Sequence, residues 1–197
     1  IEVSRLLIEN GVQRLAVAIL DEGKQLRKEG FKIPLHILGY TPVEQACEIV
    51  KYDFIQTVFT FEMAKAISDS ATMQNKEAKI HLKIDTGMGR VGFKPIKESI
   101  GIIKEISKLP NINIEGIFTH FSSADEEDCS FTKQQFNIFN NFIKELQKTG
   151  IDFPVKHCSN SAGFILDEKM HINLIRPGII IYGLYPSNEV NKEKIHL

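Results

Sequence analysis

No apolar run in the 197-residue sequence approaches membrane-spanning length, and no segment reads as a signal peptide. The 24 Lys and Arg against 25 Asp and Glu leave a formal net charge of -1 with no basic excess. Neither nucleic acid nor an anionic membrane is implied, and a small ligand is expected. Cysteine is scarce: Cys47, Cys129 and Cys158 are far apart and none sits in a C-x-x-C. That argues for reduced thiols in a cytoplasmic protein rather than a disulfide framework. No early strand is followed by G-x-G-x-x-G, which lowers the expectation of an open dinucleotide-binding sheet. Clustered metal ligands are missing too. His120 with a distant Asp125 makes a weak set, while His36, His81, His157 and His171 read as scattered strand or surface histidines, so no metal is expected.

What is present is one unit, repeated. Hydrophobic residues make up 43% of the chain, enough for one sizeable core, so a single domain over residues 1–197 is the default. Seven short apolar strands can be picked out: "RLAVAI" from Arg14, "PLHILG" from Pro34, "FIQTVF" from Phe54, "KIHLKID" from Lys79, "INIEGIFTHF" from Ile112, "PVKHCS" from Pro154 and "NLIRPGIIIYG" from Asn173. Between them run amphipathic helices, with apolar stripes such as Ile96, Ile100 and Ile103, or Phe136, Phe139, Ile143 and Leu146. This alternation means an α/β fold with parallel pairing. At the start, "IEVSRLLIENG" has helical spacing without a capping residue, which suggests a fragment.

The polar residues choose between an open sheet and a barrel. Asp85 and Arg90, His120 and Asp125, Asn160 and Ser161, and Arg176 all follow their strands, and closure of the sheet would gather them on one rim. The expected fold is therefore a (β/α)8 TIM-type barrel, incomplete, with its first strand missing.

Barrels often bind phosphate after the last two strands. In "CSNSAG", Asn160 and Ser161 stand where a helix begins; taken alone, either is more often a simple cap than an anion ligand. "IRPGI" adds Arg176, then Pro177 and a Gly178 that permits close approach. In "TGMGRVGF", Arg90 could reach a ligand oxygen or form a surface ion pair. Lys83, if it points inward, must pair, lose its proton or be modified, and Asp85 is a candidate partner. His120 could be a general base, an orienting group or, least favoured, a metal ligand.

Four segments in order, "KIDTGMGRVGF", "GIFTHFSSAD", "CSNSAG" and "LIRPGIIIYGLYPS", resemble the successive motifs of bacterial alanine racemases, and the match spans essentially the whole chain. The resemblance implies pyridoxal 5'-phosphate, an amino-terminal (β/α)8 barrel, a carboxy-terminal β domain and a cytoplasmic homodimer with shared active sites. It implies interconversion of L-alanine and D-alanine, supplying D-alanine for peptidoglycan. By position, Arg90 matches the residue that bonds the cofactor's phenolic oxygen, and Lys83 the carbamylated lysine that positions it. Ser161, Gly178 and Ile179 match phosphate-binding positions, Arg176 matches the partner of the pyridine nitrogen, and His120 matches an auxiliary residue bonded to the catalytic tyrosine. The family's Schiff-base lysine and catalytic tyrosine match nothing between Ile1 and Leu197, so the chain is expected to be inactive alone. The alternatives within this fold are a racemase for serine or another amino acid, or a non-catalytic pyridoxal-phosphate protein of the homeostasis type.

Overall fold

The computed structural model describes residues 1–197. Six strands form one sheet in simple chain order: β1 (Leu15–Val17), β2 (Leu35–Ile37), β3 (Phe54–Val58), β4 (Ala78–Lys83), β5 (Ile112–Phe118) and β6 (Val155–His157). Leu15 pairs with Leu35, Leu35 with Phe54 and Gly116 with Val155, all in parallel register. Helices fill the connections, α1 (Glu2–Glu9), α2 (Leu20–Lys28), α3 (Ala46–Lys51), α4 (Phe61–Met73), α5 (Lys97–Ile106), α6 (Ser130–Gln147) and α7 (Ser161–Leu166). Parallel neighbours in unbroken order are the succession of a (β/α) barrel; a doubly wound sheet would reverse its order partway.

The chain divides into two compact units. The first holds Ile1–His81 with Ile102–Ile114. Its strands are short and buried on every face in β2 and β3, the pattern of a parallel sheet covered on both sides. Leu35, Ile37, Val58 and Ile80 interlock with Ile49, Ala64 and Ile67 of the helices, all at 3% exposure or less. Thr60 caps α4 by accepting from the Met63 amide at 3.2 Å. The Arg27 guanidinium ties α2 to the start of β3, donating to the carbonyls of Tyr52, Asp53, Phe31 and Ile33. Helix α1 has the expected helical pattern, yet buries no residue in this unit.

The second unit holds Leu82–Gly101 with Glu115–Leu197. Its longest helix, α6, turns Thr132, Gln135, Phe139, Phe142, Ile143 and Leu146 inward. The apolar stripe read from the sequence is thus shifted: Phe136 is only half-buried, and the polar Gln135 takes the core position one turn before Phe139. In α5, likewise, Ile103 and Ile106 are fully buried, whereas Ile96 precedes the helix and is exposed.

The seventh expected strand does not form. Leu174 makes one parallel bridge with His157, and the Arg176 amide donates to the Ser159 carbonyl at 3.0 Å. Pro177, which has no amide to continue a ladder, ends the pairing there. Ile179–Tyr182 coil instead into a short 3-10 turn closed by Gly183 at φ +74°.

Candidate active site

The residues singled out by the motifs, from Lys83 to Ile179, all lie in the second unit. Lys83 is the last residue of β4 and only 2% exposed. Its Nζ donates to the Ile84 carbonyl at 3.2 Å and lies over the Phe118 ring. Burial pulls its pKa down to about 7, and the cations Arg176 and Arg90 push the same way. Asp85 opposes them without outweighing burial, and its Oδ1 is bonded to the amides of Gly87 and Gly89, at 3.1 and 3.0 Å. The expectation that Asp85 simply neutralises Lys83 therefore yields to a loop-building role. Arg90, carried on that loop, is exposed.

Arg176 is the most constrained side chain of the group. Its Nη2 donates to the carbonyls of Thr119 (2.8 Å) and Cys158 (3.0 Å), and its Nη1 meets His157 Nδ1 at 2.5 Å. A guanidinium has no acceptor, so Nδ1 of His157 must be unprotonated and the ring is neutral with its proton on Nε2. The imidazole stacks flat on Phe118, 4.6 Å between centroids, and the guanidinium lies over that same Phe118 ring. Burial lowers the Arg176 pKa to about 10, which still leaves it fully charged at neutrality.

His120 follows β5 and is half-buried. Burial comes first, then Arg176, Lys83 and Arg90, in driving its pKa down to about 3. It is a neutral imidazole throughout the physiological range. Asp125 does not join it; the Asp125 carbonyl instead accepts from the Ser187 hydroxyl.

Asn160 is the N-cap of α7, accepting from the Gly163 amide at 2.9 Å, so its side chain is a cap, as the sequence alone allowed. Ser161 is buried, and its Oγ accepts from the Gly178 amide at 2.8 Å. This contact joins two segments that the sequence placed 17 residues apart. The Ser161 hydroxyl keeps its own proton for another acceptor. Gly178 has open space where a Cβ would stand, with Ser161 Oγ its nearest neighbour at 3.9 Å, and Ile179 opens the 3-10 turn at an exposed position.

Sequence reasoning passed over four of the residues that build this site. His157, one of the scattered histidines of the sequence, is fully buried as the partner of Arg176, and His36 and His81 are buried strand residues too, whereas His171, stacked on Phe164, is half-buried. Thr86, Thr119 and Gln135 are buried and hydrogen-bonded to one another, and Gln135 also to the His120 carbonyl. The one available signal for Gln135 was its spacing, four residues before Phe139 on the buried stripe. A cleft of about 190 Å³ in the same unit, lined by residues including Glu126, Ala162, Glu189 and Lys194, contains none of the site residues. Charge and hydrogen bonding, rather than concavity, mark the candidate site.

Comparison with known proteins accounts for this arrangement. The family model described as the alanine racemase N-terminal domain matches residues 1–186. The alanine racemase of Clostridium tetani is 50% identical over all 197 residues, which correspond to 51% of its own length. A solved alanine racemase from Clostridium difficile 630 superposes with a TM-score of 0.97 at 40% identity, covering 100% of this chain and 51% of that one. The histidine racemase of Leuconostoc mesenteroides shares the fold more distantly, with a TM-score of 0.87 at 26% identity over 97% of this chain and 51% of its own. The chain spans about half the length of the curated relatives it matches. With the motif order, the strand order and the family match in agreement, the chain belongs to the alanine racemase N-terminal domain family.

Proposed function

We propose that residues 1–197 form most of the cofactor-binding barrel of a pyridoxal-phosphate-dependent alanine racemase, which interconverts L-alanine and D-alanine in the cytoplasm as a homodimer and so supplies D-alanine for peptidoglycan. The observation that carries this reading is a desolvated cationic group, Lys83 and Arg176 with Arg90 beside them, in the same unit as the Ser161–Gly178 contact. An anionic ligand that also needs a neutral-ring partner answers all of these features at once.

The donor set fits pyridoxal phosphate. The Ser161 hydroxyl proton and the Ile179 amide suit a phosphate, the Gly178 amide, which here donates to Ser161 Oγ, would turn to the same anion, and the absent side chain at position 178 admits close approach. Arg176, held from two sides by carbonyls and His157, can only donate, which keeps a ring nitrogen facing it unprotonated. When bound, pyridoxal phosphate supplies the electron sink that makes an amino acid's α-proton removable. A sink facing Arg176 is weaker than a protonated one, which favours returning the proton over side reactions.

The remaining roles belong to this chain's side chains. Lys83, with a pKa near neutrality, is present in large part as the free amine at pH 7. A free amine attacks carbon dioxide: an N–C bond forms as one C=O π bond breaks and its pair moves onto oxygen, one N–H proton leaves to solvent, and the product carbamate is an anion able to hold the Arg90 guanidinium. That conversion turns a buried cation among cations into a partner for them. Neutral His120 can orient a phenol by hydrogen bonding without competing for its proton. Racemisation needs an acid–base group on each face of the α-carbon, and those two groups are assigned to segments outside residues 1–197.

The distant histidine racemase relative favours a second reading, a racemase for another amino acid, since the same barrel serves a different side chain there. Circular dichroism of L-alanine incubated with full-length protein and pyridoxal phosphate, beside the 197-residue chain, tests both. Loss of ellipticity with the full-length protein alone is expected. Turnover by the 197-residue chain alone would overturn the assignment of the two bases. Turnover of another amino acid in place of alanine would establish the second reading.

A further inference from the structure

Gln135 is fully buried on the core face of α6, and every hydrogen-bonding position of its amide is filled. Its Oε1 accepts from the Ser122 amide (3.1 Å) and the Ser122 hydroxyl (3.3 Å). Its Nε2 donates to Thr86 Oγ1 and to the His120 carbonyl, both at 3.3 Å. The amide cannot be turned over, because the Ser122 N–H requires an acceptor opposite it. The rest of the chain of bonds then has one possible direction. Thr119 gives its only hydroxyl proton to the Ile84 carbonyl at 2.9 Å, so in its 2.7 Å contact with Thr86 it must accept. Thr86 therefore donates to Thr119 and must itself accept from Gln135.

This relay ends at three residues of the candidate site. The Ile84 carbonyl at its far end is the acceptor for Lys83 Nζ. The Thr119 carbonyl is an acceptor for Arg176 Nη2. The His120 carbonyl is held by Gln135 directly. We infer that Gln135, acting through Thr86 and Thr119, is a positioning residue that sets the relative placement of Lys83, His120 and Arg176. All four of its amide bonds go to protein groups, so it acts through them. The inference rests on the racemase reading for its consequence in catalysis, and on the hydrogen-bond geometry alone for its consequence in structure.

Buried networks of this kind lose more than one bond when a member is removed, since each orphaned partner pays its own desolvation. Two variants probe different links of the relay. Gln135→Met keeps length and removes all four bonds; Thr86→Val keeps shape and breaks the relay at its middle, with Thr86→Ser as the conservative rescue. In the cofactor-free full-length protein, the NMR signals of the Arg176 guanidinium and the His120 ring are expected to shift in Gln135→Met and Thr86→Val. They should return toward wild type in Thr86→Ser and stay fixed in Gln134→Met, which alters an exposed neighbour on the same helix. In the loaded enzyme, kcat should fall about 10- to 100-fold with KM changed less than about threefold, as expected when placement rather than binding is lost. Should Gln135→Met fail to fold, Thr86→Val against Thr86→Ser decides. Unshifted Arg176 and His120 signals together with wild-type kcat in every variant that folds would overturn the inference. A wild-type protein that racemises nothing would sink the functional reading instead, leaving the NMR comparison to judge the relay.

Discussion

A lysine at 2% exposure among cations makes stability depend on pH in a direction that can be stated. Unfolded, Lys83 holds its proton up to about pH 10.5; folded, only to about 7. Between those values the unfolded chain binds more protons, so the Lys83 contribution to stability rises as pH rises through the window and is flat below it. His120 acts in the same sense at lower pH, adding a rise between about 3 and 6.5. In carbon-dioxide-free buffer, Lys83→Met is expected to remove the upper slope and to raise stability at pH 7 by on the order of a few kcal/mol. Bicarbonate should leave the wild type with a rise through the same window and extend it to lower pH, because a folded-state carbamate binds no proton at Nζ while the unfolded amine still does. Denaturant midpoints measured across pH 5–11 check this. A Lys83→Met difference curve without slope would mean that Lys83 is not the titrating group. These two side chains were legible as site candidates because strand ends of a barrel converge, whereas nothing in the letters around Lys83 reports how few acids face it.

Elements rather than single residues decide where Arg90 stands. β4 leads into a loop that turns back on the strand: the Phe93 amide donates to the Lys83 carbonyl at 2.8 Å, and the Asp85 amide to the Phe93 carbonyl at 2.9 Å, forming a parallel bridge between Ile84 and Phe93. Gly92, at φ +140°, makes that return possible, since a Cβ there would stand 2.5 Å from the Asp85 nitrogen and 2.8 Å from the Ile84 carbonyl carbon. Neither obstacle is a side chain that could swing away. Gly92→Ala is expected to cost about 1–3 kcal/mol and to lower the thermal midpoint by roughly 2–12 °C. A midpoint unchanged within 1 °C in calorimetry (a shift smaller than any in that range) would show that the loop closes by another path. At this scale the sequence was a good guide to six strands, whose apolar runs are bounded by turns. It misled over the seventh, because Ile179–Ile181 have strand-like composition while Pro177 and Gly178 break the ladder before them. Gln135 escaped notice for a related reason: a polar letter on a helix reads as solvent-facing until the turns around it are folded.

For the whole molecule, a formal charge of only -1 conceals a local cationic site, and composition by itself implied no polyanionic partner and did not reveal the small anion the site suits. Ligand binding to such a site stabilises the native state by mass action, about 2.7 kcal/mol at a ligand concentration one hundred times Kd. For a chain of 197 residues that corresponds to a rise of roughly 5–11 °C in thermal midpoint, and to about half of that for a protein twice as long. The full-length protein is therefore expected to melt several degrees higher with saturating pyridoxal phosphate than with the same concentration of pyridoxal, which lacks the phosphate. The difference should shrink as salt rises, because part of the attraction is screened. Arg90 is exposed, so Arg90→Ala should leave the unliganded midpoint within about 2 °C of wild type while reducing the cofactor-dependent rise. A rise of equal size with pyridoxal, or one indifferent to Arg90, would move the ligand away from this cluster and with it the assignment of Ser161 and Gly178 to the phosphate.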